Sequence, residues 1–326
     1  MTRQTEMPPN LRLHGTRRKR RAPEAGRWTD LRHHLTSRPR DFAMLTRFLV
    51  PLFFCLGCHR PTTMDANVPV GALSLHIVCR GEGVPVVVLD SGLGSDAQVW
   101  SSVQADVGQF AKVCAYDRAG LGSSSAAPRP HTNQRMADEL KDLLTAAKLP
   151  EPYVLVGHSM GGVNIRLFAS KHPDAVAGMV LVDAMSESQP TQYWALIPDA
   201  DMARFRGGIA KLPEGTDFET LSQGLSELNT ANRIGAKPLV VLSHGIEDPP
   251  PGAGPDSAAQ LLAAWHAMQE ELSHLSTNRA YVVVKGARHM IQREQPPVVV
   301  AAIREVVEAA RQHRPVNPSA ISAASK

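Results

Sequence analysis

The chain has 326 residues, 43% of them apolar, 20% charged and 5% aromatic, which fits one large globular domain or two small ones and excludes a disordered, collagenous or multi-span membrane protein. The formal net charge of +4 hides an asymmetry: residues 1–60 hold 13 of the 35 Lys and Arg but 4 of the 31 Asp and Glu. The basic character therefore belongs to the N-terminal stretch and the remainder is net acidic.

The cluster Arg17-Arg18-Lys19-Arg20-Arg21 has no interleaved aromatics and no nucleic-acid-binding pattern behind it, so no nucleic acid is expected as a partner. From Met44 the chain reads a short start with Arg47, an apolar run Phe48–Gly57, then Cys58. Ten apolar residues are too few to cross a bilayer as a helix, but they fit the core of a signal peptide. Gly57-Cys58 resembles the cleavage box of bacterial lipoproteins, with Cys55 where that box usually has Leu. The expectation is that residues 1–60 are a basic extension plus a signal- or lipoprotein-like segment, with translation starting at Met44. Export is the expectation, through secretion or membrane anchoring at Cys58, with an uncleaved hydrophobic N-terminus as the alternative. Cys55-x-x-Cys58-His59 also matches a haem-attachment string, yet it sits inside the signal-like run, so no haem and no other cofactor is expected.

Further along, short β-branched runs alternate with helical patterns, which predicts an α/β fold with a mostly parallel sheet flanked by helices. The strands are expected at 73–80, 84–90, 112–117, 153–156, 177–182, 238–242 and 280–284. Helices are expected at 134–148, 163–171, 257–275 and 297–310. Cys79 and Cys114 fall in buried strands and read as small apolar core residues rather than a disulfide. Asp117 and Arg118 read as a structural ion pair bracing the neighbouring loop.

Gly157-His158-Ser159-Met160-Gly161 lies between a strand and a helix. That is the context of a nucleophile elbow, where a sharp turn needs flanking glycines and the serine hydroxyl projects from the strand end. With DSGLG at 90–94, DRAGLGSS at 117–124 and GARHMIQREQP at 286–296, the chain resembles the α/β-hydrolase superfamily over residues 70–312. DSGLG departs from the His-Gly usual in the family at that place. The resemblance implies one catalytic domain, residues 61–326, with a helical cap or lid inserted at about 184–235.

It also implies roles. Ser159 is the expected nucleophile and His289, after the last strand, the expected base, oriented by a buried carboxylate. Asp183, closing the strand after the elbow helix, is the expected acid. Asp248, after the next strand, is the alternative, and Glu247 is a weaker one. The oxyanion hole is expected from the N–H groups of Met160 and Leu93. The activity implied is metal-free hydrolysis of a small-molecule carboxylic ester through an acyl-enzyme. Amide hydrolysis, lactone opening, acyl transfer or mere ligand binding on the same fold are alternatives.

Overall fold

The computed structural model describes residues 63–228, 233–248, 250–254 and 256–325. The basic extension and the signal- or lipoprotein-like segment, with Met44, Cys55 and Cys58, lie outside the described residues.

Eight strands make one sheet in the order β1-β2-β4-β3-β5-β6-β7-β8. They are β1 (Met64–Val70), β2 (Leu73–Arg80), β3 (Val86–Asp90), β4 (Val113–Tyr116), β5 (Tyr153–His158), β6 (Val176–Val182), β7 (Leu239–His244) and β8 (Arg279–Val284). The β1–β2 and β2–β4 pairs are antiparallel, and the pairs from β4 across to β8 are parallel. β1 was not expected: its Met64, Ala66, Val68 and Val70 alternate in strand fashion, but Pro69 interrupts the run. An edge strand tolerates that proline because it has a free side.

The parallel strands are apolar on both faces because both faces are covered. On one face, Val88, Leu155, Leu181 and Val241 pack with α2 (Asn133–Ala146) and α3 (Met160–Lys171). On the other, Val87, Val154, Val180 and Val240 pack with α1 (Ser101–Val107) and α9 (Pro296–Gln312). Helix α9 buries Val298, Val299, Ile303, Val306 and Val307 at 0% exposure. Each such side chain stabilises the packed state by roughly 1.5–3 kcal/mol.

Between β6 and β7 the chain forms α4 (Gln189–Gln192), α5 (Asp199–Ile209) and α6 (Phe218–Glu227). These bury Met202, Ile209, Leu221 and Leu225 against the α2/α3 side of the sheet. After β7 come α7 (Ser257–Ser273), β8, the short α8 (Ile291–Glu294) and α9.

The cysteines correct the sequence reading. Cys79 and Cys114 form a disulfide, because the antiparallel register of β2 and β4 sets them directly opposite each other. That register depends on β2 pairing with β4 rather than with its chain neighbour β3, which no local pattern reveals.

Candidate active site

Strand β5 runs fully buried between β3 and β6 and leads straight into Ser159, whose backbone sits at φ 51°, ψ −120°. The glycines on either side are required by closeness. A Cβ on Gly157 would lie 2.6 Å from the Gly161 carbonyl oxygen, and one on Gly161 would lie 2.4 Å from the Asp90 carbonyl oxygen. Ser159 is fixed by its N–H donating to the Val182 carbonyl at 3.2 Å, while its own carbonyl accepts from Gly162 and Met185. Helix α3 starts at Met160 rather than at the expected residue 163. As the first residue of that helix, Met160 has an N–H with no intrahelical acceptor.

The loop after β3 is braced by buried charge. The Arg118 guanidinium donates to Asp90 Oδ1 (2.5 Å), to the carbonyls of Ser91 and Gly92 (2.7 Å each), and to Glu214 Oε1 (2.5 Å). The second oxygen of Glu214 accepts the Gly94 N–H at 2.8 Å. Between these anchors, Leu93 borders the cavity, and its N–H donates to no other described residue. Burial pushes the Asp90 carboxyl up, even against the lowering effect of Arg118 and the Tyr116 hydroxyl.

The expected Asp117–Arg118 pair does not form. Consecutive side chains leaving a strand diverge. Asp117 instead accepts from the N–H groups of Ala97 (2.7 Å) and Ser123 (2.9 Å) and contacts His76 Nδ1 at 3.0 Å. The two residues brace different parts of the same region.

The carboxylate of Asp183 is fully buried and receives four donors. His289 Nδ1 lies 2.6 Å and His244 Nδ1 2.7 Å from Oδ2, while the His244 N–H (2.9 Å) and Trp265 Nε1–H (2.7 Å) donate to Oδ1. Burial alone would raise its titration. The hydrogen bonds from the two histidines outweigh that and hold the group well below the carboxylate range. Asp248, the alternative acid, points elsewhere: its side chain is 68% exposed and pairs with Arg288 at 2.6 Å. Glu247 reaches His244 Nε2 at 3.2 Å and accepts from the Tyr193 hydroxyl at 3.1 Å. Thus Asp183, and not Asp248, meets His289.

His158 was read only as part of the elbow. Its Nε2–H donates to the His289 carbonyl at 2.9 Å, a tautomer assigned from that contact, and so it holds the loop carrying His289. Burial, reinforced by His289, pushes His158 down to about 3, which keeps it neutral. His244, Trp265 and Glu214 were also not foreseen as site residues. The available signal was His244 and Glu247 at i, i+3 just past a strand end.

Ser159, Leu93, His289, His244, Glu247 and Trp265 all border one cavity of about 360 Å³. Its far wall comes from the segment between β6 and β7, through Tyr193, Trp194, Ile197 and Phe205. One carboxylate oxygen of Asp183 and one ring nitrogen each of His244 and His289 lie within 4.8 Å of one another. Their hydrogen bonds account for that spacing.

Comparison with known proteins gives the following likenesses. Residues 85–230 match the family described as alpha/beta hydrolase fold. The chain is 30% identical over 246 residues to YqjL of Bacillus subtilis (strain 168), an uncharacterised protein, covering 74% of this chain and 92% of YqjL. It is 37% identical over 114 residues to a putative carbamate hydrolase, RutD, of Yersinia enterocolitica, covering 34% of this chain and 41% of that one. Among solved structures, a thermophilic esterase from Thermogutta terrifontis aligns with a TM-score of 0.53 at 21% identity, over 76% of this chain and 99% of that one. An enol-lactonase from Burkholderia xenovorans LB400 aligns with a TM-score of 0.52 at 20% identity, over 75% and 100%.

Proposed function

The chain belongs to the α/β-hydrolase family, and from that premise we propose that it is a serine hydrolase that cleaves a carboxylic ester through an acyl-enzyme. The observation that carries this reading is the 2.6 Å contact between His289 Nδ1 and the buried Asp183 carboxylate, at the rim of the cavity that Ser159 also borders.

The steps follow from the groups present. A serine hydroxyl is a weak nucleophile until an imidazole takes its proton. Asp183 fixes the tautomer by accepting from Nδ1, which leaves Nε2 of His289 as the base. As the Ser159 oxygen bonds to the ester carbon, its proton passes to Nε2 and the carbonyl oxygen gains the charge. That oxyanion accepts from the N–H groups of Leu93 and Met160. Collapse of the tetrahedral species expels the alcohol, which takes the proton from Nε2. Water then enters by the same route and releases the acid. Each oxyanion donor contributes roughly 3–4 kcal/mol to the transition state.

The segment holding α4, α5 and α6 would act as a lid, since its aromatic side chains wall the cavity and exclude water. That wall favours an apolar acyl or alcohol group. We infer export as well. The signal-like run at 44–58 supports it, and so does the Cys79–Cys114 disulfide, because such bonds persist in oxidising compartments.

The test is hydrolysis of p-nitrophenyl esters of increasing acyl length by the 326-residue chain and its Ser159→Ala variant. A burst of p-nitrophenol that the variant lacks is the expected result. A folded wild-type chain that stays silent on the whole series would overturn the ester reading and favour amide hydrolysis, acyl transfer or binding.

A further inference from the structure

We propose that His244 is a positioning residue that carries a fixed positive charge against the Asp183 carboxylate, offsets the field of that carboxylate at His289, and so extends the activity to lower pH. The inference rests on the serine-hydrolase reading and goes beyond it, since such a mechanism needs only one histidine on its acid.

The charge follows from contacts. Both ring nitrogens of His244 face carboxylate oxygens: Nδ1 lies 2.7 Å from Asp183 Oδ2 and Nε2 lies 3.2 Å from Glu247 Oε2. Ionised carboxylates only accept. A neutral imidazole would set a lone pair against one of them, so both nitrogens donate and the ring is an imidazolium. The ring is 5% exposed. Its own backbone N–H also binds Asp183, and the Trp265 ring lies 5.5 Å away, centroid to centroid. Burial alone would push His244 down, but its two carboxylates carry it up to about 9.

The surrounding charges come from several elements. Asp183 approaches from the end of β6, and Glu247 from the loop after β7. From α7, His266 donates its Nε2–H to the His244 carbonyl at 2.8 Å. From the β6–β7 segment, Tyr193 reaches the network through Glu247. Around His289 stand Asp183, the neutral His158 at 4.7 Å between ring centroids, and Trp265 at 6.1 Å. His244 is therefore the cation that shares an oxygen with His289. The two Nδ1 atoms lie 2.7 and 2.6 Å from the same Asp183 oxygen. At roughly 5 Å a full charge shifts a neighbouring titration by about two to three pH units under protein-like screening, and by about one where water shares the screening, as at the 45% exposed His289 ring. No proton leaves His244 during the reaction.

The test uses the full chain, His244→Asn and Glu247→Gln. Asparagine can keep an N–H near the position of Nδ1 but carries no charge. Ring-¹⁵N NMR should show both nitrogens of His244 protonated at pH 7.5. It should also show that titration falling by about one unit or more in Glu247→Gln. The rate at which a fluorophosphonate labels Ser159 is then followed from pH 4 to 9. In His244→Asn the low-pH limb should move up by about one unit.

A limb that stays in place while the plateau falls would mean a purely structural role and overturn the proposal. So would a His244 with one bare nitrogen, or a titration that Glu247→Gln leaves unmoved. A folded wild type that labels at no pH would instead overturn the serine-hydrolase reading itself.

Discussion

Replacing Glu214 with alanine removes two hydrogen bonds together, the acceptor for the Gly94 N–H at 2.8 Å and that for Arg118 Nε at 2.5 Å. The side chains of Arg118 and Glu214 are 2% and 0% exposed, so water cannot take over the lost contact with the guanidinium. Removing one member of a buried pair costs about 3–5 kcal/mol. The lower end applies here, because Asp90 stays 2.5 Å from Nη1 and still balances the charge. Urea unfolding should show that loss with an unchanged denaturant slope. A second effect should appear in the rate. The loop bearing Leu93 is held at Ser91 and Gly92 by Arg118 and at Gly94 by Glu214, so the variant loses one anchor and weakens another. Loss of an oxyanion donor outright costs roughly 10²–10³ in kcat, and a slackened donor should cost about tenfold. Because the oxyanion exists only in the transition state, kcat should fall while KM changes little. The assay is steady-state ester hydrolysis at a temperature where both proteins remain folded. A stability loss of the expected size with kcat unchanged would show that the clamp does not set the loop. A rise in KM alone would point to the cavity wall instead.

Three further outcomes are expected. Asp183→Asn should lower kcat by about 10⁴, while Asp248→Asn, which removes only an exposed pair with Arg288, should leave kcat within about twofold; equal losses in the two would refute the assignment of the acid. The Cys79–Cys114 bond closes a separation of 35 residues, so replacing both cysteines with alanine should cost about 4 kcal/mol in the chain-entropy account, read by denaturant unfolding under non-reducing conditions. His244 is raised from its ordinary 6.5 to about 9 in the folded protein, so its contribution is complete below pH 6.5, declines as pH rises and is gone above about 9. Unfolding free energies of wild type minus His244→Asn should therefore shrink by about 3 kcal/mol across that window.

The sheet and the serine were legible because their signals are local. Continuous apolar runs mark strands buried on both faces, and the elbow glycines follow from contacts within a few residues of Ser159. His289 was legible by chain order. The acid was read as Asp183 with Asp248 left as the alternative, since β6 and β7 both lead into loops carrying an aspartate, and the carboxylate that meets His289 is that of Asp183. What separates the two is backbone: Asp183 sits at φ 49°, which turns its carboxylate under the neighbouring strand ends, whereas Asp248 faces outward. The disulfide and the Arg118 clamp were missed because both depend on residues far apart in sequence becoming neighbours. Cys79 meets Cys114 only through the β2–β4 register, and Arg118 meets Glu214 across 96 positions of sequence. His244 is the last residue of β7. Its significance needed β6 beside β7, so that one residue's N–H and ring could reach the same carboxylate.

Backbone strain locates the same site without any motif. Among the described residues, four non-glycine positions have positive φ: Lys148, Ser159, Asp183 and His313. Lys148 follows the end of α2 and His313 caps α9, where a left-handed residue commonly ends a helix. Ser159 and Asp183 have no such explanation, as each immediately follows a buried parallel strand. Residues held in this region cost of order 1–3 kcal/mol and persist only where the surroundings over-determine them. The surroundings here do so: Ser159 is tied through its N–H and its carbonyl, and Asp183 donates its N–H to Leu242 while its carboxylate takes four donors. Both lie at the carboxyl ends of adjacent parallel strands, where ligands bind in folds of this kind. A hydroxyl lifted out of its turn and a carboxylate saturated with donors are what nucleophilic attack and imidazole orientation require. Relaxing either backbone would give back the strain energy and lose the geometry, so under the proposed function Ser159 and Asp183 are the positions where this fold gives up stability for chemistry.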